Sequence, residues 1–250
     1  MIVEALYKKV VVLDRVQHRS LRLKHPFSNF TPTSSLNAMF VTAVEFADAC
    51  REYPIIFVRA GKDEKTGKDN MAPMAVLGVT QGENLYLLPD GRWRTTYLPA
   101  FMRRYPFGMA GVGNDQMALC IDRGWEGWSE TEGDPLFDAK GEPTELTKSV
   151  QEFVTNFEQE VERTRLFCSA LLEAGIMQDM RFDATLPDGK KVSVDGFLAV
   201  DEQKLSALPD AKVLEWHRNG ILGLLHAQQI SMGLMRRLVE WHAERLAAKA

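Results

Sequence analysis

Arg51-Glu52-Tyr53-Pro54, echoed as Arg103-Arg104-Tyr105-Pro106, marks two places where this chain turns from helix to strand. Proline disfavours the α region for the residue before it and has no N–H to donate, so a helix arriving at either tyrosine must stop there. Upstream of the first copy, Ala43, Val44, Phe46, Ala47 and Cys50 recur at helical three- and four-residue steps. Downstream, Ile55-Ile56-Phe57-Val58 is a short β-rich run. The second copy has Leu98-Pro99-Ala100-Phe101-Met102 before it and Phe107-Gly108-Met109-Ala110 after it. When residues 47–58 are laid on 99–110 only the Arg, Tyr and Pro coincide, so the echo is read either as an αββ internal duplication or as coincidence.

Outward from these junctions the pattern is α+β, with an antiparallel or mixed sheet, hairpins and a helical C-terminal third. Residues 6–13 form an expected first strand, and Leu21-Arg22-Leu23-Lys24 alternates like a second, half-exposed one. The charged, glycine-interrupted stretch from Gly61 to Asn70 is expected to be a mobile surface excursion. Ala75–Val79 and Leu85–Leu88 flank Gln81-Gly82-Glu83-Asn84 and predict a hairpin. Leu-Pro-Asp-Gly occurs at Leu88 to Gly91 and again at Leu186 to Gly189; proline presets φ at the first corner and glycine accepts the positive φ that follows. From Thr144 to about Leu172 an apolar stripe through Leu146, Val150, Phe153, Phe157, Val161, Thr164, Phe167 and Leu171 predicts one long helix, closed by Gly175. A further helix opens near Asp210 and stops at Asn219-Gly220, and a longer one starts at Ile221. One domain over residues 1–250 is expected, subdivided into a strand-rich core over 1–140 and a helical part over 141–250 with a hairpin at 182–200.

At 250 residues and 45% apolar composition the chain can bury a substantial core. A net charge of −4 without a concentrated basic face argues against nucleic-acid binding. Cys50, Cys120 and Cys168 are widely spaced among apolar neighbours and read as buried free thiols. The N-terminus lacks the basic and apolar regions of a signal peptide, and no stretch approaches the roughly 18 apolar residues of a spanning helix. A cytoplasmic protein is expected.

Catalytic motifs are sparse. Gly61 to Lys68 superficially resembles a phosphate-binding loop, but its glycines are one residue too far apart and Asp69 stands where a Ser or Thr should hold magnesium. Gly108, Gly111 and Gly113 do not make the dinucleotide fingerprint. His18, His25, His217, His226 and His242 have no metal-ligand spacing, and His226, among Leu224, Leu225 and Ala227, is expected to be partly buried. No metal and no cofactor is expected. Asp210 to Met235 could pass for a helix-turn-helix, but Ile221-Leu222-Gly223-Leu224-Leu225 offers nothing to read base edges, so an αα-hairpin on the core is expected.

Trp93, Arg94, Tyr97, Arg103, Arg104 and Tyr105 remain as an aromatic and cationic set. It could form a ligand or partner groove, because guanidinium binds oxyanions and stacks on rings, or it could be a structural lattice. Trp125, Gly127 and Trp128 add a second aromatic spot.

Leu6-Tyr7 with Val10 to Leu13, His18-Arg19 with Leu21-Arg22-Leu23, Ala43 to Phe46 running into Tyr53-Pro54-Ile55, Gly91-Arg92-Trp93 through Tyr97-Leu98-Pro99-Ala100 to Phe107, and Leu119-Cys120-Ile121-Asp122 together resemble the bacterial SapC-like family. The likeness extends over the helix near Glu158 to Arg165 and His226 to Ser231, although Gln228 stands where members commonly have a histidine. The resemblance implies little chemistry. The family takes its name from surface-layer loci, some members carry a peptide-transport label, and its genes neighbour flavin-dependent halogenase-like and cupin-like proteins. A permease label conflicts with the missing spans, and a secreted array subunit with the missing signal peptide. Three readings follow: a cytoplasmic non-catalytic accessory protein whose Trp93 to Tyr105 surface binds a protein or peptide, such as a halogenase-like or cupin-like enzyme; a small-molecule enzyme with a pocket of His18, Glu45, Tyr53, Arg103 and His226; or a structural subunit of a homo-oligomer.

Overall fold

The computed structural model describes residues 6–24, 28–62, 67–113, 116–186 and 189–248. In chain order its strands are β1 (Val10–Val12), β2 (Arg22–Leu23), β3 (Ala38–Phe40), β4 (Ile55–Lys62), β5 (Asp69–Val76), β6 (Phe107–Gly111), β7 (Met117–Asp122), β8 (Trp128–Ser129), β9 (Asp134–Pro135), β10 (Met177–Thr185) and β11 (Lys191–Val200). The helices are α1 (Phe46–Ala49), α2 (Ala100–Arg103), α3 (Glu145–Glu173), α4 (Glu202–Ser206), α5 (Asp210–Arg218), α6 (Ile221–Ser231) and α7 (Met235–Ala247). The class is α+β, the described strands pair antiparallel, and every element from Glu202 to Ala247 is helical.

Both Tyr-Pro junctions work as the sequence predicts. The Tyr53 N–H closes the last turn onto the Ala49 carbonyl at 2.8 Å, and β4 opens one residue after Pro54. At the second, the Arg104 N–H bonds the Ala100 carbonyl at 3.0 Å and β6 opens one residue after Pro106, whose peptide bond is cis. The helices are shorter than the periodicity suggests. The first begins as a 3-10 turn at Ala43–Glu45, where the Glu45 carboxylate accepts from the Thr42 N–H and hydroxyl, and continues only through Ala49.

The described residues divide into two compact units, each assembled from separated stretches of chain. The first draws on 1–33, 87–93 and 100–159, the second on 34–86, 94–99 and 160–250, so α3 contributes residues to both. The first unit holds the sheets β1-β7-β6 and β8-β2-β9. Its core gathers Leu21, Phe107, Ile121, Leu136, Phe137 and Val154, with Leu146, Val150 and Phe153 of α3 packed against it. The Pro89-Asp90-Gly91 turn also lies here: Gly91, at φ 82°, donates to the Leu88 carbonyl, and Leu87 bridges to Trp93.

The second unit holds one sheet in the order β10-β11-β4-β5-β3. Phe167 of α3 packs edge-on to Phe46 at 5.9 Å and tilted to Phe57 at 6.2 Å. Phe46 and Phe57 are fully buried, each contributing roughly 1.5–3 kcal/mol on transfer from water. Gln228 and Ser231 on the buried face of α6 reach the start of β4: the Ile55 N–H donates to Ser231 Oγ at 2.9 Å, and Gln228 Nε2 donates to the Ile55 carbonyl at 3.0 Å.

Several expectations need correction. The first strand is Val10–Val12, because the Lys8 and Lys9 N–H groups donate to the Asp122 carboxylate instead of to a ladder. The hairpin expected over 75–88 does not form; β5 pairs with β3 and β4. What forms instead is a tight reversal, in which the Leu85 N–H donates to the Leu77 carbonyl at 2.8 Å and the chain passes so close that a Cβ on Gly78 would lie 2.0 Å from the Glu83 carbonyl oxygen. Cys50 is half-exposed, while Cys120 and Cys168 are buried. The hairpin at 182–200 is β10–β11, with Gly189 at φ 84°; Pro187 and Asp188 of its turn lie outside the described residues, as do 63–66 of the polar excursion and His25.

Candidate functional site

The aromatic and cationic set from Trp93 to Tyr105 is divided between the two units, and most of it is engaged in packing. In the first unit, Trp93 meets Phe30 edge-on at 5.4 Å, and the exposed Arg103 lies over the Phe153 ring. Arg104 and Tyr105 are buried, so the surface expected around them is interior at both residues. The Arg104 guanidinium lies 4.7 and 4.6 Å from the Phe101 and Phe157 ring centroids and pairs with Glu158 at 3.1 Å.

Tyr105 belongs to a hub that sequence reasoning missed. The buried Asp122 carboxylate accepts from the Lys8 N–H at 3.0 Å, the Lys9 N–H at 2.8 Å, the Gly124 N–H at 3.0 Å and the Tyr105 hydroxyl at 2.9 Å. Burial pushes its pKa up, but these donors outweigh it and hold the carboxyl below its ordinary value. Tyr105 moves the other way, raised by burial and then by its bond to Asp122. Tyr7, whose hydroxyl donates to the Phe107 carbonyl, is pushed up to about 12 mainly by burial. Trp125 and Trp128 continue the cluster, edge-on to each other at 5.3 Å, with Trp128 Nε1 donating to the Asp122 carbonyl. The only sequence signal for this hub was an aspartate ending an apolar strand.

In the second unit, the Tyr97 hydroxyl donates to Glu45 Oε1 at 2.8 Å and its N–H to Glu52 Oε2 at 2.9 Å. Tyr53 donates to the Tyr97 carbonyl at 2.5 Å and stacks on Tyr86 at 4.6 Å. Tyr86 meets Trp241 edge-on, and the exposed Arg94 covers Trp241 at 4.4 Å. Of the five residues of the enzyme reading, Glu45, Tyr53 and His226 fall in this unit, and His18 and Arg103 in the first. Glu45 and Tyr53 are spent on these structural bonds. His18 closes a local turn, its Nδ1 accepting from the Asp14 N–H at 3.0 Å. His226 is exposed rather than partly buried, with Nδ1 3.2 Å from Gln229 Oε1. Its apolar neighbours in sequence point along other faces of α6, about 100° apart per residue. Among the described residues no three His, Cys, Asp or Glu side chains are grouped to hold a metal.

Two openings with partly apolar linings lie in the second unit. A shallow groove of about 380 Å³ is lined by Val44, Leu166, Phe167, Ile221 and Leu224 together with the polar Glu160, Arg163 and Asn219. Its lip is apolar and exposed: Val44 keeps 63% and Leu166 55% of its surface in solvent. The periodicity of α3 did not reveal this, because Leu166 lies off the apolar stripe. A cleft of about 700 Å³ is lined by Met71, Leu172, Met177 and Leu198 together with charged residues that include Arg59, Lys62 and Asp179.

Among the described residues no helix is long and apolar enough to cross a membrane. No curated protein and no solved structure matches the chain. A family model does: SapC aligns with residues 13–238, spanning both Tyr-Pro junctions, Asp122 and Tyr105 of the hub, and the residues lining both openings. The chain therefore belongs to the SapC family.

Proposed function

We propose that this SapC protein is a non-catalytic accessory protein of the cytoplasm that binds a protein or peptide partner through the groove between the Ala43–Glu45 turn, α3 and α6. The observation that carries the reading is the pair of large apolar side chains, Val44 and Leu166, standing exposed on the lip of a concave apolar surface. Contiguous exposed apolar surface marks interaction sites, since covering it removes the cost of its hydration. The polar residues that might have done chemistry are used as bonds within each unit, which supports binding over catalysis. The groove replaces the Trp93 to Tyr105 surface as the contact because Arg104 and Tyr105 are interior. A partner inserting an apolar side chain over Phe167 fits best, and the flavin-dependent halogenase-like and cupin-like enzymes implied by the family resemblance are the first candidates.

The test is a photo-cross-linking residue at position 166 of the full chain in its native host, with position 152 on the exposed side of α3 as control. One dominant adduct is expected from 166 and not from 152, and Val44→Glu should deplete it. Identical adducts from both positions, or an adduct indifferent to Val44→Glu, would overturn the reading. An adduct of twice the chain mass would replace it with the homo-oligomer.

A further inference from the structure

Antiparallel strands exchange hydrogen bonds at alternate residues, so one bond fixes the phase of the rest. The Val76 N–H donates to the Pro54 carbonyl at 2.9 Å, which turns the backbone groups of Ile56 and Val58 toward β5 and those of Ile55, Phe57 and Arg59 toward the opposite edge. Along that edge Ile55 is held by Ser231 and Gln228, and Phe57 pairs with Leu198 of β11. Arg59 comes next and has no register partner in β11: among the described residues Phe57 with Leu198 is the single register pair between β4 and β11. The cause lies in β11. Between Met180 and Phe182 of β10, two residues of β11, Asp195 and Gly196, oppose Arg181 alone, and Gly196 sits at φ 73°. Such a bulge bends its strand and raises the local twist.

Beyond Phe57 the ladder between β4 and β11 therefore ends, and Arg59, Gly61 and Lys62 of β4 line the 700 Å³ cleft. The Arg59 guanidinium reaches Asp179 of β10 with two bonds of 2.7 and 3.0 Å, while the residues of β4 from Arg59 to Lys62 are exposed. An unpaired strand edge is a template for another chain. The methionines and leucines lining the cleft accept varied apolar side chains.

We propose that this edge receives an extended segment of a partner polypeptide as an added strand. Its backbone pairs with Arg59 of β4, and an apolar side chain on alternate residues enters the cleft among Met71, Leu172, Met177 and Leu198. This is a second contact, independent of the Val44 and Leu166 groove, and it recognises extended backbone first and side chains second.

The probe is a fluorescein-labelled heptapeptide alternating valine and threonine, titrated into the full-length protein by anisotropy. A matched peptide N-methylated at the amides of one edge is the control. Saturable binding of the first is expected, with slowed hydrogen exchange at the Arg59 amide and no binding of the methylated peptide. Arg59→Pro removes the outward N–H without touching the β5 ladder and should weaken binding about tenfold, the net contribution of one hydrogen bond. Arg59→Ala should leave it nearly unchanged, and so should Val44→Glu, which separates this edge from the groove. Equal binding of the two peptides, no binding of the parent at millimolar concentration, or exchange at Arg59 unaltered by saturating peptide would overturn the proposal.

Discussion

Replacing Asp122 by asparagine removes half of a buried anion hub while keeping its shape. The remaining oxygen can still accept from the Lys9 and Gly124 N–H groups, but the new amide nitrogen faces the Lys8 N–H, which can only donate, and the Tyr105 hydroxyl, which exchanges an anionic acceptor for at most a neutral bond. A hydrogen bond to a charged group contributes roughly 1.5–3 kcal/mol, so losing two at the low end costs about 3 kcal/mol. For a chain of this size that lowers Tm by about 6–12 °C. Tyr105→Phe removes one of the same bonds and should cost about 1.5 kcal/mol. Because that charge-assisted bond is already gone in Asp122→Asn, the double variant should fall little further, giving a coupling of about 1.5 kcal/mol. Thermal unfolding followed by tryptophan fluorescence reads the site directly, since Trp125 and Trp128 belong to the cluster. The pH dependence has a definite sign. Asp122 is held below its ordinary pKa, so its contribution is present above about pH 4 and is lost as pH falls through the lower native value. The asparagine variant should lose that part of the acid slope. A cost below about 1 kcal/mol, or full additivity with Tyr105→Phe, would refute the reasoning.

Two further outcomes are expected. Gln228→Leu strips the Ile55 carbonyl of its buried donor and should cost about 1–3 kcal/mol, with faster hydrogen exchange at the neighbouring Ile55 and Phe57 amides; unchanged exchange there would mean that α6 does not hold the start of β4. In the native protein iodoacetamide should modify Cys50 alone, and slowly at pH 8 because burial raises its thiol pKa and lowers the thiolate fraction. Cys168, pushed up to about 12 by burial, should react only after unfolding, as peptide mass mapping would show.

Much of the local structure was legible because its causes are local. Proline stops both helices whatever surrounds them, Gly175 and Gly220 end theirs at positive φ, and the α3 stripe repeats for 29 residues. What could not be read depends on partners distant in sequence. The chain over 75–88 has hairpin composition, yet it closes in a tight reversal at Gly78 and Glu83 while β5 pairs with β3 and β4. The aromatic and cationic set is contiguous in sequence, but Arg94 and Trp93 go to different units, and Arg104 turns inward because Phe101 and Phe157 sandwich it. His226 is exposed despite its apolar flanks because neighbours in sequence are not neighbours on a helix face. The two openings arise from exposed residues and a ladder that ends between strands, neither of which leaves a periodic trace.

The interweaving of the two units limits how this protein can be taken apart. A fragment ending at residue 140 would forfeit the α3 residues that close the first core and most of the second unit with it, and one starting at residue 160 would keep α6 and α7 without β4. During synthesis neither core is complete until the ribosome has passed residue 159, so the early strands must wait, half-clothed, for a helix encoded much later. Dissection of this molecule therefore has to proceed by point substitution, and fragments cut at an apparent linker should be recovered as aggregates.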